Sequence, residues 1–212
     1  WDSLATNAPT TDTDDTTTYY EGSGALKITN GTPQVDGDTV ALWHLDETNG
    51  DNDGDDIFDA TANNNDGEFV GTNVATAVAD GISGKAREFN GSDDYVSISD
   101  SNSLDIGTSD FTIEAWVKHS GSADIQTVFD KRDNYDGGGY AGYALLILST
   151  NETRLEIDDG GGATTIDSTA AVPTDSWQHI ALVADRSGNA THYLNGVANG
   201  SGSISTRSGS LA

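Results

Sequence analysis

Hydrophobic and polar residues alternate with a period of two along most of this chain, and no window carries a convincing 3.6-residue repeat. In the segment FTIEAWVK, Phe111, Ile113, Ala115 and Val117 fall on one face; Thr112, Glu114, Trp116 and Lys118 fall on the other. A strand there packs one side on a core and turns the other outward. The segment WQHIALVAD is largely apolar on both faces, as in a central strand covered on each side. Extended along the chain, the pattern predicts strands at 40–45, 67–70, 86–89, 95–99, 111–118, 127–131, 143–148, 154–157, 177–184, 191–194 and 197–200. With 25 Gly to supply tight turns between them, the chain reads as all-β, its strands closing as a two-sheet antiparallel sandwich.

Residues 1–39 are polar and turn-rich, apart from one short alternating strand in ALKITN at 25–30. They read as a linker or the end of a preceding region, with the sandwich at 40–212. The chain opens on Trp1 rather than Met, which reads as a processed product or an excised piece. It has no Cys, hence no disulfide framework and no thiol chemistry. No apolar run approaches the roughly 18 residues of a membrane span, so direct membrane insertion is not expected. Five Asn-x-Ser/Thr sequons, at Asn30, Asn90, Asn151, Asn189 and Asn199, permit glycosylation.

Charge narrows the partners. Of 35 acidic residues seven are Glu and the other 28 Asp, and the net charge is -26. That field repels phosphate backbones and anionic lipid, which excludes nucleic acid as a partner. It also opposes compaction until salt screens it; at ~1 M the Debye length is about 3 Å. Acids spread along the whole length, with only nine Lys and Arg, point to a high-salt organism.

Candidate chemistry is sparse. Asp51, Asp53, Asp55 and Asp59 fall at positions 1, 3, 5 and 9 of an acidic loop, a spacing that gathers oxygens around a hard cation. Asp56 and Ala62 stand where an EF-hand needs Gly and Glu, so the run 51–56 reads as a solvated acidic turn. Glycosidases of comparable fold need two carboxylates about one bond. Glu114, flanked on its face by Thr112, Trp116 and Lys118, lacks a second, and His44, His119, His179 and His192 are scattered singly. No enzyme is expected. The loop DKRDNYDGGGYAGY offers Arg132, Asn134, Tyr135 and Tyr140 on a glycine-rich segment, a set able to stack on a sugar ring and hydrogen-bond its hydroxyls. Trp43, Trp116 and Trp177 read as core.

Six segments occur in an order that resembles the laminin G-like (concanavalin A-like lectin/glucanase) family: ALWHLDETNG, DATANNNDGEFVG, SGKAREFNGSDDYVSI, FTIEAWVK, WQHIALVAD and HYLNGV. They cover roughly residues 40 to 200. The resemblance implies a jelly-roll sandwich and a calcium ion held by Asp59 with oxygens near Asn64 and Gly67. It also implies a structural His at position 179. The chain departs from the pattern after HYLNGV, where the family's closing strand has no counterpart, so the sandwich is expected to be incomplete at its C-terminus and part of a longer protein.

The function expected is a non-enzymatic recognition or adhesion module for glycan or surface-protein ligands, secreted or on the cell surface. Two other readings stand beside it: a structural subunit that self-assembles into a surface layer, appendage or virion, and an accessory domain of an extracellular hydrolase. The acid excess generates a first prediction. The melting temperature rises markedly between about 0.1 M and about 2 M KCl, where screening is nearly complete; a flat response contradicts adaptation to salt.

Overall fold

The computed structural model describes residues 27–29, 32–47, 57–71, 77–78, 80–132 and 141–211. The chain divides into two compact units, Trp1–Leu104 and Asp105–Ala212.

In the first unit, β1 (Lys27–Thr29) pairs with β2 (Thr32–Gln34), β3 (Gly67–Val70) with β6 (Tyr95–Ile98), and β4 (Ala77–Val78) with β5 (Ala86–Arg87), all antiparallel. Phe69 of β3 and Ile57, which bridges to Gly67, are wholly buried. A short 3-10 turn, Asn102–Leu104, ends the unit. The strand expected at 40–45 is reduced to a single bridge between Trp43 and Asp59. Leu45 takes φ 58°, which breaks an extended run, and the Leu42 N–H goes to the Asp59 carboxylate instead of a neighbouring strand.

The second unit is a sandwich of eight strands. One sheet runs in the order β11 (Ala163–Asp167), β10 (Thr153–Asp158), β9 (Gly142–Ile147), β8 (Gln126–Arg132); the other runs β14 (Val197–Ser203), β13 (Asn189–Leu194), β12 (Gln178–Ala184), β7 (Phe111–Val117). Every pairing is antiparallel. Leu145, Ile147, Leu155 and Ile157 of the first sheet meet Phe111, Ile180, Leu182, Ala184 and Ala190 of the second in one core, which Val172, Ile204 and Leu211 close. The all-β, two-sheet antiparallel architecture expected from the alternation is what the chain adopts, and no α-helix occurs among the described residues.

Local chemistry explains the joints. Asn195 and Gly196 link β13 to β14 with φ of 49° and 75°, the two left-handed residues that a tight primed hairpin turn requires. Gly142 starts β9 at φ 129°, where a Cβ would lie 2.0 Å from the Lys131 carbonyl oxygen. Strand β11 was not expected; its Thr-rich, mostly exposed edge sequence, ATTID, carries too little apolar signal. Asn199 is buried, with Oδ1 accepting the Ala170 N–H and Nδ2 donating to the Ala170 carbonyl. That sequon is therefore closed in the folded chain.

Two buried polar side chains hold the sandwich together. His192 of β13 is fully buried; its Nδ1 accepts the Thr153 hydroxyl at 2.8 Å and its Nε2–H donates to the Ile166 carbonyl at 2.9 Å. It thus bridges from one sheet to two strands of the other. Arg186, 3% exposed, donates to the carbonyls of Gly107 at 3.1 Å, Gly209 at 2.6 Å and Arg207 at 3.1 Å, and its own N–H reaches Asp110 at 2.7 Å. It pins the last segment of the unit beside the start of β7.

Burial pushes the His192 imidazole below its ordinary value of 6.5, so the native state holds it neutral. The unfolded chain binds a proton there first, and its share of stability, complete above pH 6.5, is lost as pH falls below that value. The predicted outcome is that wild-type stability drops between about pH 6.5 and about pH 5 and that His192→Gln shows a smaller drop. Thr153→Val, which strips Nδ1 of its partner, costs about 1–3 kcal/mol; denaturant melts of the three proteins check both.

Candidate functional site

The outward face of the sheet β14-β13-β12-β7 follows from its register. Because Ile113 and Ala115 pack on the core, Glu114 and Trp116 point away from it. In β12 the same alternation sends His179, Ala181 and Val183 outward, and in β13 it sends Thr191 and Tyr193. Ala181 stands opposite both Glu114 and Tyr193, while His179 stands opposite Trp116. A single methyl therefore lies between two large polar side chains, with two rings in the adjoining row.

These side chains touch. The rings of Trp116 and His179 are 5.2 Å apart at 58°, and His179 Nε2 lies 3.3 Å from Glu114 Oε2. Glu114 and His179 retain 19% and 14% side-chain exposure, so the pair sits in a recessed part of the face. The Trp116 indole N–H is buried and has no hydrogen-bond partner among the described residues. Burial pushes the Tyr193 phenol above its ordinary value, leaving it a neutral hydroxyl. The backbone beneath is fixed: the Asn195 side chain accepts the His179 N–H at 3.0 Å and donates to Gln178 at 2.7 Å.

The expectation that Trp116 is core is thus corrected. It sits half-buried on the face opposite Phe111, as the strand's own alternation requires. Trp43 and Trp177 are also half-buried rather than core, and the Trp43 indole donates to the Asn65 carbonyl at 2.8 Å. Glu114, without a second carboxylate in the sequence, does have a partner, but it is an imidazole delivered by another strand. Cross-strand register, invisible to local pattern, brings them together.

The loop site expected at 130–143 is only partly in view. Asn134, Tyr135 and Tyr140 lie outside the described residues. Arg132 ends β8 with its guanidinium donating to Asp130, at 2.8 Å through Nε, and to Glu156 of β10. Those two carboxylates tie it to its own sheet.

Asp59 is likewise committed to the fold. Only 7% exposed, its Oδ1 accepts the N–H groups of Leu42 at 3.0 Å and Thr61 at 2.9 Å. Its Oδ2 accepts the Thr61 hydroxyl at 2.8 Å and the Asn65 N–H at 3.0 Å. Four donors meet the four lone-pair sites of one carboxylate. The Gly67 carbonyl accepts the Ile57 N–H at 2.9 Å, and the Asn64 amide donates to the Ala62 carbonyl at 3.1 Å. These three residues present an anion ringed by hydrogens rather than a cage of free oxygens, so they do not fit a calcium ion. No cluster of three or more His, Cys, Asp or Glu side chains able to hold a metal occurs among the described residues. Asp51, Asp53 and Asp55 lie outside them.

The family model of the concanavalin A-like lectin/glucanases superfamily matches residues 90–211, more than half of the chain, and the protein belongs to that superfamily. No curated protein matches it in sequence. Among solved structures, the binding domain of Paraclostridial Mosquitocidal Protein 1 is similar over 72% of this chain and 39% of its own, with a TM-score of 0.60 at 21% identity. Botulinum neurotoxin type C, described as entering cells through interaction with two ganglioside molecules, matches over 77% of this chain and 39% of its own, with a TM-score of 0.53 at 14% identity. The binding domain of botulinum neurotoxin DC in complex with rat synaptotagmin II matches over 79% and 41%, with a TM-score of 0.50 at 15% identity. This chain spans about two fifths of the length of those neighbours. At such identities the likeness establishes the shared fold.

The Asp59 geometry makes a prediction. Burial raises the cost of its charge, but the N–H groups of Leu42, Thr61 and Asn65 outweigh that and hold its carboxyl below the ordinary 3.8. The stability it contributes is complete above that value and is lost as pH falls through it. Asp59→Ala costs about 2–4 kcal/mol at neutral pH, and EDTA leaves the melting temperature of the wild type unchanged. A drop with EDTA that Asp59→Ala removes would restore calcium to this site.

Proposed function

We propose that this protein is a non-catalytic glycan-recognition module of a larger secreted or cell-surface protein, and that it binds sugar on the outward face built by Glu114, Trp116, His179 and Tyr193. The observation that carries the reading is the half-buried Trp116 ring, which lies against the His179 ring on a paired sheet where His179 in turn meets the Glu114 carboxylate. A pyranose offers an apolar C–H face to an aromatic ring and hydroxyls to the polar groups around it. Membership of a superfamily of lectins and glucanases supports this reading. So does the neighbour whose description names gangliosides.

Catalysis is the weaker reading on this face. Glu114 is the one carboxylate in β7, β12, β13 and β14, and glycoside hydrolysis by acid and nucleophile, or acid and base, takes two. A protein ligand is the second reading, favoured by the neighbour in complex with synaptotagmin. No helix among the described residues is long and apolar enough to cross a membrane.

A glycan array probed with the full chain, at about 0.15 M and again at about 2 M KCl, tests the proposal. The expected outcome is binding to a defined set of glycans that Trp116→Ala weakens by about tenfold or more while circular dichroism stays unchanged. Absence of binding at both salt concentrations sinks it.

A further inference from the structure

The chemistry of the face goes further and selects among sugars. This inference rests on the recognition reading above and names the ligand class. The four strands that build the face contain no Lys or Arg at all, and Glu114 is their single carboxylate. Lys118 follows the end of β7 and, by the strand's alternation, shares the side of Glu114 and Trp116; its ammonium is a point charge at the rim without a guanidinium's fork. Glu114 stands in the row of Ala181 and Tyr193, the point where the face is lowest because Ala181 contributes only a methyl. A ligand reaching Ala181 therefore meets a carboxylate on one side and a neutral phenol on the other.

We infer that the face takes an uncharged pyranose and discriminates against sialic and uronic acids, with Glu114 as the residue that sets this specificity. A carboxylate accepts hydrogen bonds from sugar hydroxyls, which donate; it has nothing to donate to a second carboxylate. An acidic sugar would bring its anion against Glu114, inside the field of a chain with net charge -26. Recognition of a carboxylate calls for a fork of N–H donors, as a guanidinium supplies. The four strands of this face supply no such fork: of the arginines of this unit, Arg186 is buried among carbonyls, and Arg132, Arg154 and Arg207 are each bonded to carboxylates. The Trp116 ring supplies an aromatic face without charge, which suits the C–H face of a neutral sugar.

The test is titration of the full chain with matched pairs, each a neutral oligosaccharide and the same oligosaccharide capped by sialic or uronic acid, with lactose and 3′-sialyllactose as the first pair. Isothermal calorimetry is run at about 0.15 M salt, where charge effects survive. The expected result is binding of the neutral member, at least about tenfold weaker binding of the acidic member, and a narrower gap in Glu114→Gln. A merely structural Glu114 would weaken both members together. Acidic members binding as tightly as neutral ones, or a gap untouched by Glu114→Gln, overturn the specificity while leaving glycan recognition standing. Failure of every pair, neutral and acidic, overturns the recognition reading and this inference with it.

Discussion

The second unit depends on a buried imidazole that spans its two sheets. His192 comes from β13 and takes its partners from Thr153 of β10 and Ile166 of β11. Apolar contacts between sheets tolerate sliding, because dispersion and burial have little direction. A neutral imidazole with both nitrogens satisfied does not: displacement of one sheet by a single residue would leave two polar atoms unpaired in the core. The bridge thus fixes β13 relative to the opposite sheet. Through the β12–β13 and β12–β7 registers it also fixes which outward side chains share a row. Tyr193 is the next residue after His192 and points the other way, so the same backbone that anchors the core presents the face.

A second economy concerns polar groups in a chain short of cations. Asp59 ties Leu42, Thr61 and Asn65 together through one carboxylate, and Arg186 gathers three carbonyls from the start and end of the unit. Asp159 does the same on a smaller scale, accepting the Gly209 N–H at 2.9 Å beside Arg207. Each replaces a length of regular secondary structure with one hub. That is how a glycine- and aspartate-rich chain satisfies its loop backbone without more strands. An acid-rich loop sequence alone is therefore an ambiguous sign of metal binding: around Asp59 the oxygens answer N–H groups.

Period-two alternation made most of the sandwich legible. The segments around Phe111–Val117 and Gln178–Ala184 announce strands because one face is apolar at every second position, and Asn195–Gly196 announces its turn by residue type. The edge strand Ala163–Asp167 was hidden because Thr and Asp outnumber its apolar residues. Residues 40–45 misled in the opposite direction, since their apolar alternation serves a loop that hangs on Asp59. For the site, alternation alone placed Glu114 and Trp116 together. It could not place His179 and Tyr193 beside them, because register between strands distant in sequence is decided by the core and not by local pattern.

If Trp116 is a ligand platform rather than packing, its indole N–H signal reports the ligand's arrival at the ring. The chain has four tryptophans, so a 15N correlation spectrum resolves a small set of indole signals, and Trp116→Phe identifies the one of interest. On titration with a neutral oligosaccharide that the protein binds, the Trp116 indole signal is predicted to shift progressively and to saturate with the calorimetric affinity. A saturating titration in which other indole signals move while that of Trp116 stays fixed would place the sugar elsewhere and make Trp116 packing.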